Sequence, residues 1–365
     1  MADVVERARR WMLDAALPYW TANGQEPSGL WYEQVGYDGR PDPGGRRRMR
    51  VQARQTYCWA HARRMGWHPA PGLEKGLDAW LKTSFEPDGK GGWIHLLNPD
   101  GSVKDDQRDF YDMAFAIFAL SEVHRTLGDP RARDIVDRTL DWMDRDMKGP
   151  VGGFIESLPP ALPRRTNPHM HLLEAMLAWL EATGDDAFRQ RANTLIGLFA
   201  DHFFDAETGS LGEYFTQTLE PYPPPQGDSR EPGHHAEWTW LLHRAKAAGC
   251  RDETARRKQL YAWLNRHGLD SEGLAVDECD RSGEILRPTR RCWVECELMK
   301  AHLVMGDTAK AHAVMEKMLD QYLATDTPGL WIDVFDGEGK PDAPVVPAST
   351  FYHLMVAVDL LLEHG

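Results

Sequence analysis

The sequence predicts an all-α protein, an (α/α)6 barrel of six inner and six outer helices with short β-turn elements at its active-site end. Three observations lead there. A short motif recurs as Gly29-Leu-Trp-Tyr, Gly92-Trp-Ile-His, Gly153-Phe-Ile-Glu, Ser210-Leu-Gly-Glu, Gly273-Leu-Ala-Val and Gly329-Leu-Trp-Ile, at steps of 63, 61, 57, 63 and 56 residues. Helix-stopping glycines keep the same beat at Gly66, Gly128, Gly184, Gly249 and Gly306, and a period near 60 running six times through 365 residues is an internal repeat. The helices between these marks also alternate in character: those after the β-like motifs are apolar nearly all round, and those after the glycines are charged on one face. These are the patterns of buried and surface helices.

Residues 3–22 open the chain with apolar positions at Val4, Val5, Ala8, Trp11, Met12, Ala15 and Ala16, the stripe of an amphipathic helix that completes the outer ring. Inner helices are expected near 48–65, 107–127, 167–183, 233–248, 291–305 and 348–363. The other outer ones are expected near 71–85, 130–146, 185–204, 251–267 and 308–323, with starts such as Asp129-Pro130. No long Pro/Ser linker divides the chain, so residues 1–365 are expected to form one catalytic domain. Six inner helices that all follow the same kind of turn must run in parallel. Their N-termini then share one end of the barrel with the longer loops, where free amides and positive dipole ends favour chemistry.

Composition narrows the ligand. A net charge of -14 argues against nucleic acid or an anionic membrane as partner, and 14 tryptophans supply stacking surfaces suited to carbohydrate. Arg46-Arg47-Arg48 is the one basic cluster; it is read as solvated charge rather than a phosphate site, so the expected substrate is an unphosphorylated sugar. Five scattered cysteines without a Cys-x-x-Cys suggest free thiols, and the N-terminal stretch lacks an apolar leader, so a soluble cytoplasmic monomer or homodimer is expected.

Polar residues crowd the first turns of the inner helices, where a core-facing helix should not spend them. In order they are Arg54 and Gln55; Tyr111 and Asp112; Asn167, His169 and His171; His234, His235 and Glu237; Trp293 and Glu297; Tyr352 and His353. Imidazoles titrate near neutrality, so several of them beside a carboxylate, an arginine and an amide suit proton transfer at a carbon next to a carbonyl, with Arg54 or Asn167 to meet an enediolate oxygen. No metal and no cofactor is expected, because the chain has no His-Glu-x-x-His, no Walker loop and no Rossmann glycines, and His169 and His171 would diverge on a helix. His234 and Glu237 are three apart on one helical face, so the imidazole and the carboxylate can meet or flank one substrate, while His235 packs toward Trp238.

Five segments, Arg50-Val-Gln-Ala-Arg-Gln-Thr-Tyr57, Asp109-Phe-Tyr-Asp-Met-Ala-Phe115, Asn167-Pro-His-Met-His-Leu-Leu-Glu-Ala175, Glu231-Pro-Gly-His-His-Ala-Glu-Trp238 and Ala348-Ser-Thr-Phe-Tyr-His353, resemble the N-acylglucosamine 2-epimerase superfamily, and within it the D-mannose isomerases. The resemblance implies a metal-independent (α/α)6 barrel acting on a monosaccharide. It implies His234 and His353 as the catalytic pair, and His171 in ring opening or sugar binding. It also implies Arg54, Tyr111, Asn167, Glu237 and Trp293 in substrate-binding positions, with Glu237 orienting His234 as well. Trp293-Val-Glu-Cys-Glu297 departs from the Trp-Pro-Gln common in the epimerases, which favours an aldose-ketose isomerase of the D-mannose/D-fructose type, with D-lyxose also possible. The alternatives are a sugar 2-epimerase, or a glycoside hydrolase drawing its two carboxylates from Asp112, Glu237 and Glu297.

Overall fold

Residues 2–67 and 72–364 are described by a computed structural model. Along the chain run α1 (Ala2–Arg10, prolonged by a π-helical turn over Trp11–Ala16 and by Leu17–Asn23), α2 (Met49–Arg64), α3 (Leu73–Ser84), α4 (Phe110–Leu127), α5 (Pro130–Asp146) and α6 (Thr166–Thr183). They are followed by α7 (Asp186–Leu198, ending in a π-helical turn over Phe199–Phe203), α8 (Pro232–Ala247), α9 (Thr254–His267), α10 (Cys292–Met305), α11 (Thr308–Lys317, ending in Met318–Tyr322) and α12 (Phe351–His364). The even-numbered helices pack each on the next, and α12 returns to α2. Every odd-numbered helix lies outside an even-numbered one, α1 against α12 and α3 against α2. The result is the (α/α)6 barrel that the period of 60 predicts.

Burial explains the two rings. Inner helix α6 buries every residue from Pro168 to Leu180, whereas outer helix α5 buries Ala132, Ile135, Val136, Thr139, Leu140, Trp142 and Met143, a single stripe at helical spacing. The Trp179 side chain is fully buried, and its indole N–H donates to the Ile117 carbonyl of α4, so truncating it would cost about 3–5 kcal/mol. Starts and stops follow local chemistry. Asp129 and Asp185 cap α5 and α7 through the amides of Arg131 and Ala187, and Gly128, Gly184 and Gly306 end α4, α6 and α10 in the left-handed conformation. Two starts move inward from their expected places. Arg108–Asp109 is a strand, which delays α4 to Phe110, and Asp252 accepts from the Thr254 amide, which delays α9 to Thr254. The expected start of α3 near residue 71 lies outside the described residues.

The repeated motifs lie at turns, most of them closed by β-bridges or by the pair Ser210–Leu211 with Phe204–Asp205, and the strands of the belt follow them. Gln34–Val35, Leu96–Leu97, Ser157–Leu158, Tyr214–Phe215 and Val334–Phe335 pair antiparallel with Val346–Pro347, Arg47–Arg48, Arg108–Asp109, Arg164–Arg165 and Arg290–Arg291, each of which immediately precedes an inner helix. Cys279 bridges Arg230 in the sixth place. Six short pairings thus belt the end of the barrel where the inner helices begin.

This belt contains a repeat that the sequence reading missed. Arg47, Arg108, Arg164, Arg230 and Arg290 occupy equivalent places and are all buried. Arg164, for example, donates to the carbonyls of Phe154, Gly152 and Gln217. Removing such an arginine leaves buried turn carbonyls unpaired at about 1–3 kcal/mol each. The basic cluster is therefore not uniformly solvated: Arg46 is exposed, but Arg47 is fully buried beside Glu26 and Arg48 is half-buried beside Glu33. All five cysteines are buried and free, and among the described residues no helix is long and apolar enough to cross a membrane.

Candidate active site

The belt sets a common register for the inner helices. Counting seven residues from the first residue of each pre-helix strand (47, 108, 164, 230, 290 and 346) gives Arg54, Phe115, His171, Glu237, Glu297 and His353. One geometric position, repeated six times around the axis, therefore supplies the barrel floor with Phe115 and five polar groups, of which Arg54, His171, Glu237 and His353 face the cavity above it. Counting three gives Arg50, Tyr111, Asn167, Gly233, Trp293 and Ser349, which stand one turn higher. A cavity of about 420 Å³ opens above the floor, and it is lined by Arg54, Tyr111, Asn167, His171, His234, Glu237, Trp293 and His353. The eight residues singled out in the sequence thus meet at one place.

His234 and His353 are held in the same way but in opposite electrostatic surroundings. His234 Nδ1 lies 2.9 Å from Glu213 and 3.9 Å from Glu231. Burial favours the neutral ring, yet these carboxylates outweigh it and lift the pKa of His234 to about 9, so the ring is a cation at neutral pH. His353 Nδ1 lies 2.8 Å from Glu297 Oε1. Burial, with Arg54 and Lys300 close by, holds His353 well below the usual imidazole range, so it is a free base at neutral pH. The Trp293 ring stands between them, 5.7 Å from the His234 ring and 5.3 Å from that of His353, as an apolar platform flanked by an acid and a base.

The remaining groups bracket this pair. Arg54 donates to Tyr111 Oη at 2.8 Å and to the Ser349 carbonyl at 3.1 Å, and its Nε has no partner. His171 Nδ1 lies 3.0 Å from Glu174, which also accepts from Tyr352 Oη. Burial lowers the pKa of His171, with Glu174 opposing. Asn167 Nδ2 is 3.1 Å from His234 Nε2, and Asn167 Oδ1 has no partner; turned over, the amide offers that oxygen to the protonated ring.

Three expectations need correction. Glu237 does not orient His234. It lies one turn deeper, with one oxygen 3.6 Å from His171 Nδ1 and neither oxygen hydrogen-bonded. Burial and the neighbouring Glu297 and Glu174 push it well above the usual carboxylate range. The orienting carboxylate is Glu213, from the turn Ser210-Leu-Gly-Glu213. The signal for it was present, because the same turns carry Glu33, His95, Glu156, Asp277 and Asp333, each bonded to the start of an inner helix through Arg48, Asp112, Arg165, Arg291 and Thr350. His235 stacks on Trp263 rather than Trp238, and it accepts from the Leu211 amide as His169 accepts from that of Phe154. Burial drives both rings down to about 3, so they are neutral ties for the turns. Finally, Asp112 is taken up by Arg50 and His95, and Glu297 sits behind His353, so neither carboxylate lines the cavity as hydrolysis would need.

Ligand atoms of His171, Glu174 and Glu237, and of Glu213, Glu231 and His234, lie within 4.8 Å of one another. Each could hold a cation only by giving up the imidazole-carboxylate contact just described, a contact that orients the ring for proton transfer.

Comparison with known proteins agrees with this geometry. The N-acylglucosamine 2-epimerase (GlcNAc 2-epimerase) family pattern matches residues 30–357. A protein of Rhizobium meliloti (strain 1021) named mannose-6-phosphate isomerase is 34% identical over 373 residues, covering 95% of this chain and 94% of its own. A D-mannose isomerase of Thermobifida fusca is 28% identical over 277 residues, covering 70% and 68%. The solved structure of cellobiose 2-epimerase from Spirochaeta thermophila DSM 6192 superposes with a TM-score of 0.87 at 24% identity, over 100% of this chain and 96% of that one, and shares the fold. With its barrel, its belt of turns and its pair of carboxylate-held histidines, this chain belongs to the N-acylglucosamine 2-epimerase family and is a sugar isomerase or epimerase.

Proposed function

We propose that the chain interconverts D-mannose and D-fructose through a cis-enediolate. The observation that carries this reading is the split between two histidines facing one cavity, His353 neutral and His234 cationic. Groups whose surroundings push their pKa values apart are the natural acid and base of a proton-transfer site. In this reading His171, Arg54 and Tyr111 hold the sugar as its ring opens. His353 takes the proton from C2 of the open-chain aldose, and the electron pair moves into the C1–C2 enediolate. His234 protonates the carbonyl oxygen O1 and receives the proton from the O2 hydroxyl as the new carbonyl forms. His353 then returns its proton to C1, giving the ketose with no net gain or loss of protons.

Two neighbouring readings differ by one step or one group. If the enediolate is reprotonated on C2 from the opposite face, the product is the 2-epimer, and the superposition on cellobiose 2-epimerase supports keeping that reading. If the substrate carries a 6-phosphate, as the name of the Rhizobium relative suggests, a cation at the cavity mouth should receive it. Of the three arginines that line the cavity, Arg54 lies on the floor between Tyr111 and the Ser349 carbonyl, Glu33 already holds Arg48, and Asp277 and Glu231 hold Arg291. That supports the unphosphorylated sugar. The test is NMR of D-mannose and of D-mannose 6-phosphate in D2O with the purified protein. Fructose deuterated at C1 is the expected product from mannose; glucose deuterated at C2 would replace the isomerase by an epimerase, and turnover of the phosphate alone would move the substrate class.

A further inference from the structure

Below the cavity floor, one turn along α10 from Glu297, lies a lysine that the reaction does not touch. Lys300 has no exposed surface, and its Nζ sits 2.6 Å from Glu297 Oε2 without the alignment of a hydrogen bond. The same Nζ rests 3.6 Å from the centroid of Trp240, a cation-π contact that helps hold the ammonium in place. Neither Lys300 nor Glu297 lines the cavity, whereas His353 does. The three groups form a line, Lys300 to Glu297 to His353, that ends at the imidazole assigned above as the base.

Burying a charged lysine is costly unless it is paired, so this one needs an explanation. We propose that Lys300 is a positioning residue for the proton transfer: its ammonium keeps Glu297 a carboxylate, and that carboxylate holds His353 in the Nδ1–H tautomer with its Nε2 lone pair free for the substrate. A neutral Glu297 would lose the charge that selects the tautomer, as happens when the carboxylate behind a catalytic histidine is neutralised. The surroundings show what Glu297 would become alone. Glu237 is equally buried and has no cation in contact, and burial pushes it well above the usual range; burial also raises Glu297, but less far, and Lys300 beside it is the main opposing group. The charged and titratable groups that face this line are Glu174 and His171 from α6, Glu237 and His234 from α8, Arg54 from α2, and Tyr352 beside His353 on α12.

The inference rests on His353 being the base, and the experiment separates the two. Lys300→Met, Lys300→Arg and His353→Gln are compared with the wild-type chain on the sugar that the deuterium experiment identifies. Lys300→Met should lose about 100-fold in kcat at pH 7 with KM within about threefold, because no substrate contact is removed. The deficit should shrink at least about tenfold between pH 6.5 and 8.5, as Glu297 ionises without help. Lys300→Arg, which restores the cation, should recover to within about tenfold of wild type with an ordinary profile. A folded Lys300→Met within threefold of wild type, or a deficit constant with pH, overturns the inference. If Lys300→Met does not fold, 15N-histidine spectra of the wild-type chain decide, with His353 assigned by its absence from His353→Gln. The neutral Nδ1–H form is expected at pH 7, and the Nε2–H form or an imidazolium refutes it. Full activity of His353→Gln would instead remove the reading beneath the inference.

Discussion

The two ends of the barrel hold cavities of similar size lined by the same kinds of side chain, and only one of them looks built for chemistry. At the end where the inner helices finish, a cavity of about 480 Å³ is lined by His61, Arg64, Glu122, Glu181, Arg244 and Asp359 among others. Its charges are consumed by one another: Arg64 binds Glu122 and Asp359, Arg244 binds Glu181, and His61 lies 2.9 Å from Asp359. These pairs tie α12 to α2, α2 to α4 and α6 to α8. At the opposite end the cavity is slightly smaller, but Arg54 Nε, Asn167 Oδ1 and both oxygens of Glu237 lack partners, and two histidines are driven to opposite protonation states. Neither volume nor charge count separates the ends. Unspent hydrogen-bonding capacity and split pKa values do.

The hardest way to break this contrast is to remove its acid or its base. His353→Gln and His234→Gln should each lower kcat by about 10³–10⁴-fold while leaving the fold intact by circular dichroism. Retention of a tenth of wild-type turnover in either would take that histidine out of the reaction and leave the front cavity no better marked than the rear one. Glu213→Gln comes next, with an expected loss of about 100-fold. Its more specific effect is on pH dependence. His234 acts as the acid with a pKa near 9, so wild-type kcat/KM should fall as pH rises through about 9. Without the Glu213 carboxylate that limb should move to lower pH. The same shift has a stability sign: a histidine whose folded pKa lies above its unfolded value stabilises fully below about 6.5, and that contribution is lost as pH rises through about 9. The stability gap between wild type and Glu213→Gln in urea should therefore be widest near pH 6 and narrow by pH 9.5.

The contrast also shows what one sequence can and cannot disclose. The barrel was legible because its period is written in glycines: Gly128, Gly184 and Gly306 end helices in a conformation other residues adopt with difficulty. The lining of the front cavity was legible because polar residues at the start of an all-apolar helix conflict with burial. Partnership was not. Glu237 was matched to His234 from helical spacing, but a spacing of three places two side chains on one face at different depths, and depth decides which neighbour each meets. Glu213 reaches His234 across 21 residues of turn and loop, a distance that no helical pattern spans. Lys300 escaped because a single lysine in an apolar run looks like a break in the pattern, and only the packing of Trp240 and Glu297 around it turns that break into a pair. The arginine cluster was misjudged for a related reason. Neighbours in sequence alternate across a strand, so Arg47 is buried in the belt while Arg48 is only half-buried, and Arg46, just before the strand, is exposed.

The gentlest test acts on the rear cavity. Glu122 is nearly buried, accepts from Arg64 at 2.7 Å and lies 4.0 Å from Arg125. Replacing it by Gln leaves both arginines without that counter-charge in a partly buried place, and the expected cost is about 1–3 kcal/mol of stability in urea. Because the rear network supports the ends of α2 and α4 but supplies nothing to the front cavity, kcat and KM should stay within about twofold of wild type at a temperature where the variant is folded. Stability and turnover are then separable at this end of the barrel and inseparable from side-chain identity at the other. A tenfold fall in kcat in folded Glu122→Gln would mean that the rear pairs set the depth of α2 and α4, and with it the placement of Arg54 and Tyr111, so that the two ends work as one device rather than as scaffold and site.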